Sequence, residues 1–120
     1  ANPVSHDAMG EFYSSGHILM CMSLHEGGPL PVIEAMHCGR PVISTEVGIV
    51  PEIVEHDVNG WIVDRSRSAL TKAIMNIVEN PDLISKMSGK AHDAVLNRSV
   101  SDMANNYREM FESVIDKKVM

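Results

Sequence analysis

Cysteine is scarce in this chain of 120 residues, which has only Cys21 and Cys38. Two cysteines are too few for the disulfide framework of a small extracellular domain, so we expect both to be buried free thiols. Methionine is abundant by contrast, with nine residues. Four of them lie on apolar helical faces, where we expect them to fill the core: Met36, Met75, Met87 and Met110.

Positive charge is also scarce, with ten Lys and Arg against sixteen Asp and Glu and a net charge of −6. No basic stripe is present, which argues against nucleic acid or an anionic membrane surface as the partner of this chain. No apolar run is long enough to span a bilayer. We expect a cytoplasmic protein and leave peripheral membrane association open for its full-length form.

Two functional signatures are missing. No G-x-G-x-x-G turn follows a strand, which argues against a dinucleotide-binding oxidoreductase. The six histidines have no metal-ligand spacing, and a lone His25 beside Glu26 is more often solvated or structural than a ligand. We therefore expect no bound metal.

The pattern of apolar residues predicts alternating helices and strands. Helices are expected at 6–15, 31–38 and 50–55, and short strands at 17–22, 40–45 and 60–64. Short strands that alternate with helical crossovers are typical of an α/β fold with a parallel sheet.

Beyond Asp64 the sequence predicts helices alone. Asn80-Pro81 is expected to cap and begin the second of these helices, and Ser99-Val100-Ser101-Asp102 resembles a capping box that opens the last one. The apolar faces expected to point inward are Ala69, Leu70, Ala73, Ile74, Ile77 and Val78 on the first, Leu83, Ile84, Met87, Ala91, Ala94 and Val95 on the second, and Met103, Tyr107, Met110, Phe111 and Val114 on the last.

The most informative segment lies between Glu26 and Glu34. Gly27-Gly28-Pro29 breaks regular structure after the first strand, and Pro31 suits the first turn of a helix that begins near Leu30. The N–H groups at such a helix start have no intrahelical partner and lie at the positive end of the helix dipole. This segment therefore predicts an anion-binding cradle.

Each flanking carboxylate has two interpretations. Glu34 could be an acid of the first helical turn, stabilised by the dipole alone, and Glu26 could be a solvated loop acid. Alternatively, either carboxylate could bind a ligand, because a carboxylate accepts charge-assisted hydrogen bonds, which are the stronger kind. A loop at the carboxyl end of a parallel strand is also where ligands bind.

Four ordered segments resemble the retaining group 1 glycosyltransferases of the family 4 type. Glu26 to Ile43 is similar to their Glu-x7-Glu donor-site motif, preceded by Tyr13-Ser14-Ser15 and followed by Gly48 to Val54 and Asn59 to Val63. The resemblance implies a GT-B type fold, in which this chain is the C-terminal portion of the Rossmann-like donor-binding domain, with few parallel strands, flanking helices and a helical tail.

The resemblance also implies roles for individual residues. Glu26 would contact the donor sugar and Glu34 the ribose hydroxyls of the nucleotide, while Gly27, Gly28 and Leu30 would meet the sugar and phosphate through their backbone. Where the family often has an aromatic-Gly pair, this chain has Gly28-Pro29, which removes one N–H donor. No residue is assigned as nucleophile or general base, and no cofactor is expected besides the nucleoside-diphosphate sugar, which is the substrate.

The partners implied are a nucleotide-sugar donor, an unidentified acceptor and a missing N-terminal domain, with self-association through an exposed sheet edge. We expect the chain to be a fragment that is inactive alone, because the acceptor domain and the upstream basic contacts to the diphosphate are absent from it. A GT-B nucleotide-sugar epimerase, a synthase-type transferase and a noncatalytic interaction module stay open as alternatives.

Overall fold

The computed structural model describes residues 2–119, with side-chain burial for residues 2–117. A single 3-10 turn, His6–Ala8, leads into helix α1, Met9–Ser15. Strands β1, β2 and β3 are Leu19–Cys21, Val42–Ser44 and Gly60–Ile62, and helices α2 and α3 between them are Leu30–His37 and Val50–Ile53. Helices α4, α5 and α6 follow at Arg67–Glu79, Asp82–Asp93 and Val100–Val119.

The strands form a parallel sheet in the order β1-β2-β3. β2 is the central strand, and all three of its residues, Val42, Ile43 and Ser44, are buried. A continuous apolar stretch is typical of a parallel strand that is covered on both faces. The α/β class with few parallel strands and flanking helices is therefore confirmed, and the order of elements agrees with the expectation from the sequence.

Neighbouring residues of β2 face two different cores, because successive side chains of a strand point to opposite faces. Val42 packs in a cluster with α1, α2 and α3, including Val32, Met36 and Val50. Ile43 packs with Trp61 against α4 and α5. The second core is small, so Trp61 provides much of its volume.

The two edges of the sheet differ. Val63 donates its N–H to Ser44 of β2, so the backbone groups of Gly60 and Ile62 point away from β2. Asp57 N–H donates to Gly60 O at 2.9 Å, and Ile62 N–H donates to His56 Nδ1 at 3.1 Å. The outer edge of β3 is thus partly closed by the chain that precedes it.

No comparable closure is found at β1 among residues 2–119. Leu19 N–H and Cys21 O bond toward β2, so the backbone groups of Met20 point away from it. Met20 is 52% exposed. An exposed edge strand is therefore present, and self-association through it stays a prediction.

The capping box is confirmed. Asp102 N–H donates to Ser99 Oγ at 3.1 Å, and Ser99 N–H donates to Asp102 Oδ2 at 2.9 Å. The expected Asn80 N-cap is wrong: Asn80 is the C-cap of α4, its amide donates back to Asn76 O, and Pro81 takes the N-cap position of α5. The local pattern marked the boundary correctly but assigned Asn80 to the wrong helix.

The expected inward face of α6 is also wrong. The apolar residues of α6 are about half exposed: Met103, Tyr107, Met110, Phe111 and Val114. Two residues expected in the core of α4 are exposed as well, Met75 at 48% and Val78 at 67%. α6 has 20 residues, and the molecule measures 62 × 30 × 27 Å. The amphipathic pattern of α6 is real, but the described chain does not cover it.

Both cysteines are free, as expected, but the expectation that they are buried is wrong, because each is partly exposed. No helix within residues 2–119 is both long enough and apolar enough to cross a membrane.

The indole of Trp61 gives a test of the second core. Trp61 is 2% exposed, and its Nε1–H has no hydrogen-bond partner among the described residues. We predict that Trp61→Ala lowers the free energy of unfolding by about 3–5 kcal/mol, as for other large core truncations. Trp61→Phe should cost less than about 2 kcal/mol, because it also removes a buried unsatisfied donor.

Urea unfolding followed by far-ultraviolet circular dichroism measures both variants without relying on the only tryptophan. Equal losses for Phe and Ala would contradict the prediction, because they would mean that a buried aromatic ring at position 61 contributes nothing to stability.

Candidate functional site

The candidate site lies at the carboxyl edge of the sheet, where the loops after the three strands meet. The loop after β1 carries Glu26, the loop after β2 carries Gly48, and the loop after β3 carries Arg65. Arg65 Nε donates to Met22 O at 3.1 Å, so the third loop is tied to the first. This edge of a parallel sheet is the usual place for a ligand.

Thr45 fixes the start of the Glu26 loop. Its N–H donates to Cys21 O at 3.1 Å, and its hydroxyl donates to Ser23 O at 2.6 Å. Thr45 is 5% exposed and lies directly after β2. The end of the central strand therefore sets the path by which the chain leaves β1.

Glu26 lies on the exposed part of this loop. Ser23 donates its hydroxyl to Glu26 Oε1 at 2.7 Å, and no described residue binds the other carboxylate oxygen. The side chain is thus oriented from one side and free on the other. His25 is exposed, and no group of three or more His, Cys, Asp or Glu residues in the described chain could hold a metal ion.

Gly48 permits the close contact between two of the loops. Its φ is +49°, and a Cβ atom there would lie 2.6 Å from Gly27 O and 2.9 Å from Glu26 O. Both contacts are with backbone atoms, which cannot turn away as a side chain could. Glycine is required here by backbone conformation and by space.

Gly27 and Gly28 show the opposite situation. A Cβ atom at either position would meet nothing within 4 Å. Neither the backbone nor the described neighbours demand glycine, yet the two residues keep the space above the helix start empty. Close approach of a ligand to the backbone is the remaining use of glycine at such a place.

Helix α2 begins at Leu30, as predicted, with Pro31 in its first turn. Val32 N–H already donates to Pro29 O at 2.9 Å, and Pro31 has no N–H. The N–H groups of Gly27, Gly28 and Leu30 have no acceptor in the described part of the chain. The cradle therefore has three free donors, and it lacks a fourth because position 29 is proline.

Glu34 is not in the first turn of α2, which contains no acidic residue. The interpretation of Glu34 as a first-turn acid stabilised by the helix dipole is therefore wrong. Its Oε2 instead accepts a hydrogen bond from the Tyr13 hydroxyl at 2.7 Å. Glu34 is half-buried, and no described residue bonds to its Oε1.

Tyr13 belongs to the segment Tyr13-Ser14-Ser15, and no spacing in the sequence indicates its contact with Glu34. The two residues are 21 positions apart and meet because α1 packs on α2. Burial of the ring, followed by the hydrogen bond to Glu34 and the charge of that carboxylate, raises the pKa of Tyr13 from 10.0 to about 12. The hydroxyl is thus a donor throughout the neutral range.

A three-stranded parallel sheet flanked by helices, with its loops gathered at the carboxyl edge, defines the class: a Rossmann-like α/β domain. The chain belongs to the glycosyl transferases group 1 family, whose sequence model matches residues 1–94. These residues include all the candidate site residues.

One curated relative is the D-inositol 3-phosphate glycosyltransferase of Streptomyces bingchenggensis. It is 32% identical over 94 residues, which are 77% of this chain and 21% of that protein. This chain spans less than a third of the length of each of the first curated relatives.

Solved structures show the same fold. Sucrose-phosphate synthase from Thermosynechococcus elongatus matches with a TM-score of 0.81 and 26% identity, over 94% of this chain and 30% of that one. Anabaena HepE in complex with UDP matches with a TM-score of 0.77 and 25% identity, over 86% of this chain and 29% of that one. These structural neighbours are GT-B glycosyltransferases.

Gly48→Ala should destabilise the protein. The substitution puts a Cβ atom against two carbonyl oxygens at a positive φ, so we expect a loss of about 1–3 kcal/mol in unfolding free energy. Gly28→Ala is the matched control, because its Cβ meets open space, and it should change stability by less than about 1 kcal/mol. Urea titrations of both variants measure the difference, and similar stabilities would contradict the steric account.

Tyr13 gives a test by pH titration. In a Tyr107→Phe variant Tyr13 is the only tyrosine, and its tyrosinate absorbance should appear with a midpoint near pH 12. Because the folded pKa lies above the unfolded value of 10.0, the stabilisation is complete below pH 10 and is lost as the pH rises toward 12.

Replacing Glu34 by Gln in the same background should lower the midpoint without returning it to the ordinary value, since burial is the larger cause. A midpoint that Glu34→Gln leaves unchanged would contradict the contribution of the carboxylate.

Proposed function

We propose that this chain forms the donor site of a glycosyltransferase that transfers a sugar from a nucleoside diphosphate to an acceptor hydroxyl with retention of the anomeric configuration. The observation that carries the proposal is the empty space at Gly27 and Gly28, beside three N–H groups that have no acceptor among the described residues. This segment lies in the chain between Glu26 and Glu34. The donor diphosphate fits the N–H groups, and the hydroxyl-rich ends of the donor fit the carboxylates.

The diphosphate is the natural ligand of the N–H groups of Gly27, Gly28 and Leu30. Peptide N–H groups at a helix start favour anions through direct hydrogen bonds and the helix dipole. Charge develops on the diphosphate as the bond to the sugar breaks, so the same donors stabilise the leaving group. Basic side chains expected upstream of this chain would add to that stabilisation, without an obligatory metal.

Glu34 is assigned to the ribose. It lies one turn into α2, farther from the helix start than the phosphate donors, and its Oε1 has no described partner. A carboxylate offers about four lone-pair positions, of which Tyr13 uses one. Enough acceptor capacity is left for the two vicinal hydroxyl groups of a ribose.

Glu26 is assigned to the sugar. It lies on the exposed loop on the other side of the glycines, with one oxygen held by Ser23 and one free. Glu26 accepts hydrogen bonds from sugar hydroxyls and so orients the anomeric carbon toward the acceptor. Rate enhancement in this reaction comes from positioning and charge stabilisation, which require no nucleophile from this chain.

The relatives support this assignment. HepE was solved with UDP and also with UDP-glucose. UDP-glucose contains a ribose, the proposed ligand of Glu34, and a sugar, the proposed ligand of Glu26. A synthase-type sugar transfer is the second candidate, since sucrose-phosphate synthase shares the fold over 94% of this chain. We also propose a cytoplasmic location, on the basis of the acidic composition and the two free thiols.

The two glutamates should respond differently to substitution in the complete protein. Glu34→Ala should weaken both the bare nucleoside diphosphate and the sugar-loaded donor, by about 1.5–3 kcal/mol if charge-assisted hydrogen bonds are lost. Glu26→Ala should leave binding of the bare diphosphate nearly unchanged and weaken the donor or its turnover.

Calorimetry of both variants with UDP, GDP, ADP and the corresponding sugar nucleotides measures these effects. Binding of the bare diphosphate by Glu34→Ala as tightly as by the parent would contradict the ribose assignment. If the parent binds none of the diphosphates, the noncatalytic interaction module is favoured instead.

A further inference from the structure

The Tyr13 hydroxyl is directed at one oxygen of a carboxylate that has a proposed ligand. The O–H to Oε2 distance between Tyr13 and Glu34 is 2.7 Å, and Tyr13 is 8% exposed. Hydrogen bonds to a charged acceptor are short and strong, and here the donor belongs to a ring with few torsional freedoms. The contact therefore restricts where the Glu34 carboxylate can lie.

The ring of Tyr13 is itself held in place. It packs in the first core with Val32 and Ala35, which lie on the buried face of α2 beside Glu34. Tyr13 thus contacts the same helix that carries the carboxylate. Movement of the hydroxyl relative to Glu34 would require repacking of a core residue.

The backbone at Tyr13 is fixed from the other end of α2. Arg40 donates from one terminal guanidinium nitrogen to Ser14 O at 2.8 Å and from Nε to Tyr13 O at 3.4 Å. Arg40 follows the C-terminus of α2, so α1 is joined to the α2 segment near Glu34 and again beyond its end. Two separate contacts make the position of Tyr13 more precise than one hydrogen bond would.

We propose that Tyr13 is a positioning residue that holds the Glu34 carboxylate for the ribose of the donor nucleotide. This inference rests on the proposed ribose assignment of Glu34. Tyr13 occupies one lone pair of Oε2. Oε1 and the other lone pair of Oε2 are then available to the ligand. The nucleotide then binds a carboxylate that is already ordered.

The expected size of the effect follows from side-chain entropy. A free glutamate loses rotamer freedom when it is ordered by a ligand, and this loss is equivalent to about tenfold in affinity. In the parent the cost is met when the protein folds, because Tyr13 orders the side chain. Without the hydroxyl the cost falls on nucleotide binding.

The decisive comparison uses Tyr13→Phe in the complete protein with two ligands. The first is whichever of UDP, GDP and ADP binds the parent most tightly, and the second is its 2′,3′-dideoxy form, which cannot bond to Glu34. We expect Tyr13→Phe to weaken the ribose diphosphate by about 5- to 10-fold and to leave the dideoxy form unchanged. Tyr107→Phe, at the exposed second tyrosine, is the matched control and should change neither affinity.

The outcomes separate this inference from the function on which it rests. An equal loss for both ligands would mean that Tyr13 acts on the fold of the site and not on the carboxylate, and no loss for either would mean that the hydroxyl is dispensable. Both results overturn the positioning role. If the parent itself binds the two ligands equally well, or binds none, the ribose assignment fails and the positioning role fails with it.

A double substitution gives an independent measure. If Tyr13 acts through Glu34, then Tyr13→Phe should have no further effect on the ribose diphosphate once Glu34 is Ala. Additive losses in the double variant would contradict that route. Circular dichroism of each variant establishes that the fold is intact, and Phe keeps the buried ring in place.

Discussion

The parallel pairing of β2 with both of its neighbours is the interaction on which the rest of the structure depends. A strand that is buried on both faces must satisfy its backbone groups within the sheet. This requirement pairs β1 and β3 with β2 along its three residues, so the three strands end at the same edge. The three loops then leave the sheet at one edge. Thr45, directly after β2, extends the same bonding to the Glu26 loop through its N–H and its hydroxyl. The hydrogen bonds that pair the central strand therefore also determine the position of the site.

The two carboxylates of the site occupy different surroundings, although eight positions separate them. Glu26 is exposed and is held by a neighbouring serine, whereas Glu34 is half-buried and is held by a tyrosine from another helix. A loop carboxylate can follow ligands of different shape, but a carboxylate fixed between packed helices cannot. This difference suits the proposed roles, in which Glu34 binds a constant nucleotide part and Glu26 binds a sugar part that varies.

Local signals in the sequence predicted local features well. The start of α2 at Leu30 and the Ser99 capping box follow from residues within one turn of each other, and both are confirmed. The contact of Tyr13 with Glu34 depends on the packing of two helices, so no spacing in the sequence contains it. The exposed face of α6 shows the same limit, since amphipathicity tells which side of a helix is apolar but not what covers it.

The His56 ring makes the two edges of the sheet differ in how many of their outward backbone groups are already hydrogen-bonded. Because its Nδ1 accepts the Ile62 N–H, and Gly60 O is taken by Asp57, a hydrogen-bonding neighbour beside β3 would have to displace both contacts first. Beside β1 the outward backbone groups of Met20 are available without such competition. An additional strand, whether from the same polypeptide or from another, would therefore meet fewer competing hydrogen bonds from the described residues beside β1 than beside β3.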